Sequence, residues 1–390
     1  MSSVMDQIRL LEGLDDFTPQ VEAIGPLAWR QRALVATGLA AVRMLRLRAS
    51  ALDPTAFVQR VAATNPHDLT IETRPGAGID VVRRTLFERT GVAGPFRLLD
   101  EAEAADLHTH CQQLLASPDN PLLRVIRRHN PRGAERLLAS GDVQLGLSLH
   151  MHDPTVRAVL GRPAVRNVMR SLIGTDSVAC WRSQLFRQKR GQRTTLHQSI
   201  AFPEGVGHTA LKLRPGHTFR PHSALNAWIS LTRAGVDNGC LLALEGSFRD
   251  TRVYDLGAWL ALRPLDFLTV LAFLPEDVAE AALKVVLFTS GNHRGVTKLL
   301  LRIADFFHDD LFAQEVQSRD FVCKPGEYWV FTSFNLHGSH AATSDDERFT
   351  LVGRYIDTEA IDPGDNAILL NVDGRITVRP AEHGWHALVA

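Results

Sequence analysis

Residues 347–354, Glu347-Arg348-Phe349-Thr350-Leu351-Val352-Gly353-Arg354, carry the pattern on which the fold assignment turns. The segment is short and alternating, and its aromatic and β-branched residues favour a strand. Side chains along a strand repeat every two residues, so Arg348, Thr350, Val352 and Arg354 share one face. Two arginines on one face of an otherwise apolar strand are costly inside a barrel unless they meet an anion. A guanidinium fork suits that task because it can grip a carboxylate through two parallel N–H bonds. On an outer surface the same pair reads as an ion-pair strip.

Similar segments surround it. Residues 178–187, 224–232, 239–244 and 327–332 are short and alternating, separated by turn signals such as Asp237-Asn238-Gly239 and Lys324-Pro325-Gly326. Upstream the texture is helical, near residues 26–48, 101–115, 121–138 and 155–172, and residues 275–315 interrupt the strands with two expected helices. Helices followed by many antiparallel-looking strands point to an α+β protein built on a β-sandwich or jelly roll. The expected organisation is an N-terminal helical extension over residues 1–87, then a jelly-roll domain over 88–390 with a helical insert near 275–315.

Composition narrows the function classes. The 390 residues hold 43 Lys+Arg and 43 Asp+Glu, so the formal net charge is zero. Binding of nucleic acid or of an anionic membrane needs a basic field, and neither is expected as a partner. The four cysteines, Cys111, Cys180, Cys240 and Cys323, form no CxxC pair and read as small buried hydrophobes in a reducing compartment. Asp6, Arg9 and Glu12 interrupt any secretory signal, and the apolar run 34–45 is too short to span a bilayer. A soluble cytoplasmic protein is expected.

Histidines supply the candidate metal ligands. His108 and His110 lie two apart on an expected helix and point to different faces, and the His150–Asp153 cluster joins helical stretches with no strand to aim it. His197 differs, because it follows the 178–187 strand. On a strand, H-x-D/E supplies two ligands of the facial triad of non-haem iron oxygenases, and a distal histidine completes it. His337, in Asn335-Leu336-His337-Gly338-Ser339, is the distal candidate, while Ser199 stands where the carboxylate would be. By spacing alone, a lone His197 is more often a structural histidine than a ligand.

Taken together, several runs resemble the phytanoyl-CoA dioxygenase-like superfamily of Fe(II)/2-oxoglutarate enzymes, and within it the non-haem iron chlorinating enzymes of the syringomycin type. Gly94-Pro95-Phe96 is similar to the motif at the start of that domain. The run 180–186, CWRSQLF, followed by Gly191 and His197-Gln198, is similar to the family's first ligand segment. Asn226-Ala227-Trp228, Asp237–Leu241 and Glu245-Gly246-Ser247 follow its middle segment, and Lys324-Pro325-Gly326, His337, Arg348 and Arg354-Tyr355 its ending. The resemblance spans roughly residues 88–357.

The resemblance implies a double-stranded β-helix core, His197 and His337 as iron ligands, and Arg348 on the far carboxylate of 2-oxoglutarate. Arg354 and Asn226 would lie near a halide or other anion pocket with Ser199. In the hydroxylases of the superfamily the Ser199 position is Asp or Glu, and in the halogenases it is Ala or Gly, leaving iron a place that chloride fills. Fe(II) with two neutral histidines and dianionic 2-oxoglutarate is already neutral, so chloride in place of a carboxylate keeps the charge of the ordinary triad. A serine hydroxyl is a poor ligand for Fe(II) and can donate a hydrogen bond to an anion.

The implied function is chlorination of an unactivated C–H through a chloroferryl intermediate, with Fe(II), 2-oxoglutarate, O2 and chloride (or bromide). The substrate would be a small molecule or an acyl or aminoacyl group on a carrier protein, in natural product biosynthesis, and the enzyme a possible homodimer. A hydroxylase or desaturase of the same fold is the alternative, and a non-catalytic protein with a decayed iron site is a third reading.

Overall fold

A computed structural model of the chain describes residues 27–49, 71, 73, 75–76, 78–120, 123–124, 127, 131–140, 146, 149–151, 153–194, 214, 217, 220–249, 268–269, 271–274, 276–288, 317–357, 359–360, 368–371 and 375–378. In chain order they form α1 (Trp29–Ala49), α2 (Val81–Thr90), β1 (Val92–Arg97), α3 (Glu101–Ala116), α4 (Pro131–Ser140), α5 (Pro154–Leu160) and α6 (Pro163–Ile173). β2 (Val178–Gln188), β3 (Ala224–Ser230), β4 (Leu241–Leu244), α7 (Glu276–Phe288), β5 (Ser318–Asp320), β6 (Glu327–Thr332), β7 (His337–Ser339), β8 (Arg348–Asp357), β9 (Ile368–Asn371) and β10 (Arg375–Val378) follow.

These elements fall into two compact units, one holding α1 and α7 and the other holding the strands and the remaining helices. The second unit starts at Asp68, ahead of the expected boundary at 88. α2 belongs to it: Asp80 caps the helix by accepting from the Arg83 N–H, Phe87 is buried, and Gly91 closes the helix in the left-handed region at φ 71°. A side chain at Gly91 would meet the Asn335 amide at 2.7 Å, so the helix-to-strand turn needs glycine there.

In the first unit α1 buries Val35, Leu39 and Val42, spaced at helical intervals. At Gly38 the helix comes close to Leu283 of α7, whose Cδ1 lies 3.1 Å from where a Cβ would stand. Arg43 pairs with Glu276, and Arg46 donates to the carbonyls of Ala272 and Leu274. α7 is one of the two helices expected over 275–315; the second lies outside the described residues. Among the described residues no helix is long and apolar enough to cross a membrane.

The second unit is a double-stranded β-helix. Its larger sheet is antiparallel in the order β1-β6-β3-β8-β2, and the smaller runs β5-β4-β7. Register sets the faces. Asn226 pairs with Arg354, Trp228 with Val352 and Ser230 with Thr350, while Gln184 pairs with Val352, Phe186 with Thr350 and Gln188 with Arg348. Trp228, Val352, Trp329 and Phe331 from the larger sheet meet Leu241, Ala243 and Phe321 from the smaller one in a buried cluster. Phe321 stacks on Trp329 at 5.1 Å between centroids and meets Trp228 edge-on. Helices cover the outer face, where Tyr355 and Tyr328 donate to the carbonyls of Leu160 and Ala164 at the ends of α5 and α6. The helical stretch expected over 155–172 is split because Gly161 ends α5 and Pro163 starts α6.

Candidate functional site

The inner face of β8 has the composition read from its alternation, and it is not a surface. Arg348 is 2% exposed. Its Nε donates to the Gly239 carbonyl at 2.8 Å, Nη1 to the Thr350 hydroxyl at 3.1 Å and Nη2 to Oε1 of Gln188 at 3.0 Å. Its guanidinium also lies 5.2 Å from the centre of the Trp228 ring. A guanidinium has five N–H donors, so two remain for a further acceptor. Burial lowers Arg348 well below the ordinary guanidinium range, to about 10. The Cys240 thiol beside it is pushed up to about 12, also by burial, and so offers no thiolate to balance the charge. Among the described residues no carboxylate pairs with Arg348. The ion-pair strip is therefore excluded at this position.

Arg354, three alternations along the same face, is half-buried, and burial lowers it to about 10 as well. Its Nη1 donates to Oε1 of Gln184 at 3.2 Å, whereas its Nε is enclosed without a hydrogen-bond partner among the described residues. Opposite it on β3, Asn226 is 1% exposed and its Nδ2 donates to the Ser333 hydroxyl at 3.2 Å. Its Oδ1 is enclosed without a partner. Whichever way the amide is set, one of its two polar atoms stays unmatched, and a buried polar atom in that state costs about 1–3 kcal/mol. Orphaned polar atoms on two neighbouring strands mark a place built for something the described residues do not supply.

His337 stands on β7, 4% exposed, and its ring tilts against Phe331 at 4.6 Å. Nδ1 lies 2.8 Å from the Asn335 carbonyl, which can only accept. The proton is therefore on Nδ1, and Nε2 is the nitrogen that carries the lone pair of the neutral ring, the form a metal takes. Asn335 itself is locked: its Nδ2 donates to the Thr90 carbonyl at 2.9 Å, and its Oδ1 accepts from the Phe248 N–H at 3.0 Å. His197 and Ser199 lie outside the described residues. Among the described residues no three His, Cys, Asp or Glu side chains gather as a metal site. The donor set that is described, a fixed imidazole and an arginine with spare donors, fits a metal with a carboxylate co-substrate.

The other histidines have structural partners. His150 Nε2 donates to the Cys180 carbonyl at 3.0 Å, and its Nδ1 accepts from the Ser183 hydroxyl at 2.8 Å. His110 pairs with Asp153 at 2.9 Å, and His108 packs on Phe349. All four cysteines are free and buried, as expected. Gln188 and Asn335 escaped the sequence reading. Gln188 becomes visible only through the register of β2 on β8, which no local pattern encodes.

Residues 87–255 match the family model described as phytanoyl-CoA dioxygenase (PhyH). The chain resembles the phytanoyl-CoA dioxygenase family. That match makes it an enzyme of the Fe(II)- and 2-oxoglutarate-dependent oxygenase type. No curated protein matches the sequence. Among solved structures, CytC3 with Fe(II) and alpha-ketoglutarate is similar at 17% identity and TM-score 0.48, over 80% of this chain and 88% of that one. EctD from S. alaskensis with 2-oxoglutarate and 5-hydroxyectoine is similar at 16% identity and TM-score 0.45, over 80% and 86%. The epimerase SnoN from nogalamycin biosynthesis follows at 14% identity and TM-score 0.40, over 71% and 82%.

Proposed function

We propose that this chain is an Fe(II)- and 2-oxoglutarate-dependent halogenase that chlorinates an unactivated C–H of a small molecule or of an acyl or aminoacyl group on a carrier protein. The structural observation that carries the co-substrate assignment is Arg348, a buried cation that among the described residues has two unused N–H donors and no carboxylate beside it. Ser199, standing where a hydroxylase has its carboxylate, carries the halide assignment.

His197 and His337 would hold the iron, and Arg348 the far carboxylate of 2-oxoglutarate. When bound, iron with 2-oxoglutarate, O2 and chloride would supply the oxidising power for C–H cleavage and the halogen that replaces the hydrogen. The chain's own residues bind and orient. Asn335 fixes the His337 proton on Nδ1 and so aims Nε2. Thr350, Gly239 and Gln188 hold the Arg348 fork in one plane. Ser199 in place of a carboxylate would leave a coordination place open, and its hydroxyl would donate to the anion that fills it. Arg354 and Asn226 bring orphaned polar atoms to the same inner face, which suits a second anion or a polar substrate group. Placing the target C–H nearer to halogen than to oxygen is a positioning task, which small displacements spoil.

Equilibrium dialysis with radiolabelled chloride tests the reading. With Fe(II) and 2-oxoglutarate under anaerobic conditions, about one chloride per iron is retained, and Ser199→Asp abolishes that retention. Iron and 2-oxoglutarate bound without chloride would favour a hydroxylase or desaturase of the same fold.

A further inference from the structure

The end of β2 holds a buried amide that bonds Arg348 and the strand of His337. Gln188 is 4% exposed and pairs in register with Arg348. Its Oε1 accepts from Nη2 of Arg348 at 3.0 Å, and the hydroxyl of Ser339 approaches the same oxygen at 3.4 Å. Its Nε2 faces three acceptors: the Gln192 carbonyl, the His340 carbonyl at 3.1 Å and Oγ of Ser339 at 3.1 Å. The amide cannot be set the other way, because arginine only donates and backbone carbonyls only accept.

Ser339 lies on β7, two residues beyond His337, and its Oγ also accepts from the Thr194 N–H at 2.7 Å. One glutamine therefore joins the arginine to the strand of His337 and to the segment that leads to His197. Gly239 keeps room for it. A Cβ there would stand 2.8 Å from Nε2 of Gln188, on a backbone at φ 77°, while the Gly239 carbonyl takes the Nε bond of Arg348.

We infer that Gln188 is a positioning residue for 2-oxoglutarate: it holds the Arg348 guanidinium so that the two remaining N–H groups meet the far carboxylate, and it ties that anchor to both ligand-bearing segments. The inference rests on the role proposed for Arg348. Gln188 touches neither co-substrate nor metal and acts through the arginine.

The test compares two ligands that differ only at that carboxylate. Binding of 2-oxoglutarate and of 2-oxobutyrate, which lacks the far carboxylate, is measured by calorimetry on the Mn(II)-loaded wild-type protein and on Gln188→Met. The variant should bind 2-oxoglutarate about tenfold more weakly, the effect of losing one hydrogen bond to a charged group, and bind 2-oxobutyrate as the wild type does. Equal weakening for both ligands would make Gln188 merely structural and overturn the inference, as would unchanged affinity for 2-oxoglutarate. A wild-type protein that binds no 2-oxoglutarate would remove the role of Arg348, and this inference with it.

Hydrogen exchange on the unmutated protein gives a readout independent of whether the variant folds. 2-Oxoglutarate, and not 2-oxobutyrate, should slow exchange in residues 188–194 and 339–342. Identical exchange with the two ligands would contradict the coupling.

Discussion

Arg348→Met separates a functional cation from a structural one. Lowering the guanidinium from its ordinary range to about 10 means that the folded protein disfavours its charge by about 3 kcal/mol. Methionine fills similar space without that cost. The substitution also removes three hydrogen bonds donated by a charged group, to Gly239, Thr350 and Gln188, at about 1.5 kcal/mol each. A gain of about 3 kcal/mol against a loss of about 4–5 kcal/mol leaves a net loss of about 2 kcal/mol without ligand. Ligand binding shifts the balance only for the wild type. At a hundred times its dissociation constant, 2-oxoglutarate should stabilise the native protein by about 2.7 kcal/mol, and the variant should gain almost none of this. Urea unfolding with Mn(II), with and without 2-oxoglutarate, reads both quantities. A loss above about 4 kcal/mol without ligand would show that Arg348 is kept for structure, and a retained ligand effect would show that the carboxylate is anchored elsewhere.

Three further outcomes follow from particular contacts. Asn335→Ala leaves the Phe248 N–H unpaired in the interior, while the Thr90 carbonyl keeps the Gly246 N–H, so it should cost about 1–3 kcal/mol in urea unfolding and weaken metal retention by loosening the turn that carries His337. Gly239→Ala, forced into the left-handed region and against Gln188, should lower stability by about 1–3 kcal/mol and weaken 2-oxoglutarate binding, read by the same unfolding experiment and by calorimetry. The Arg162 hydrogen bond, and then the Asp100 N–H, hold the Glu103 carboxyl below its usual range. A depressed folded pKa gives stability that is present above the ordinary carboxylate range and lost as pH falls through the folded value. Glu103→Gln should flatten that part of the acid limb in urea midpoints taken from about pH 6 down to about pH 3.

Much of the fold was legible because it is written locally. The period-two alternation of 348–356 placed Arg348, Thr350, Val352 and Arg354 on one face, and the pairing of β8 with β2 and β3 puts that face inside. The helix expected over 101–115 is α3, and Asp100 with Glu103 closes its start as a capping box, a local signal the reading of the sequence did not use. The extent of the second unit was less legible, since α2 joins it through the tertiary burial of Phe87. At the site, the histidine and arginine candidates came from residue type and motif order. Gln188, Asn335 and Gln184 did not, because an amide carries no distinctive spacing and gains its role only when register sets it opposite an arginine or a turn. The partnerless Arg354 Nε and Asn226 Oδ1 are likewise visible only once two strands lie side by side.

The most direct test of the central claim is anomalous diffraction from anaerobic crystals grown with Fe(II), 2-oxoglutarate and bromide, collected at the iron and bromine edges. The account predicts iron held by His197 and His337, a bromide on the iron beside Ser199, and 2-oxoglutarate with its far carboxylate on Arg348. Iron and 2-oxoglutarate in place with water beside Ser199 would contradict halogenation, and no iron after careful reconstitution would contradict the catalytic assignment altogether.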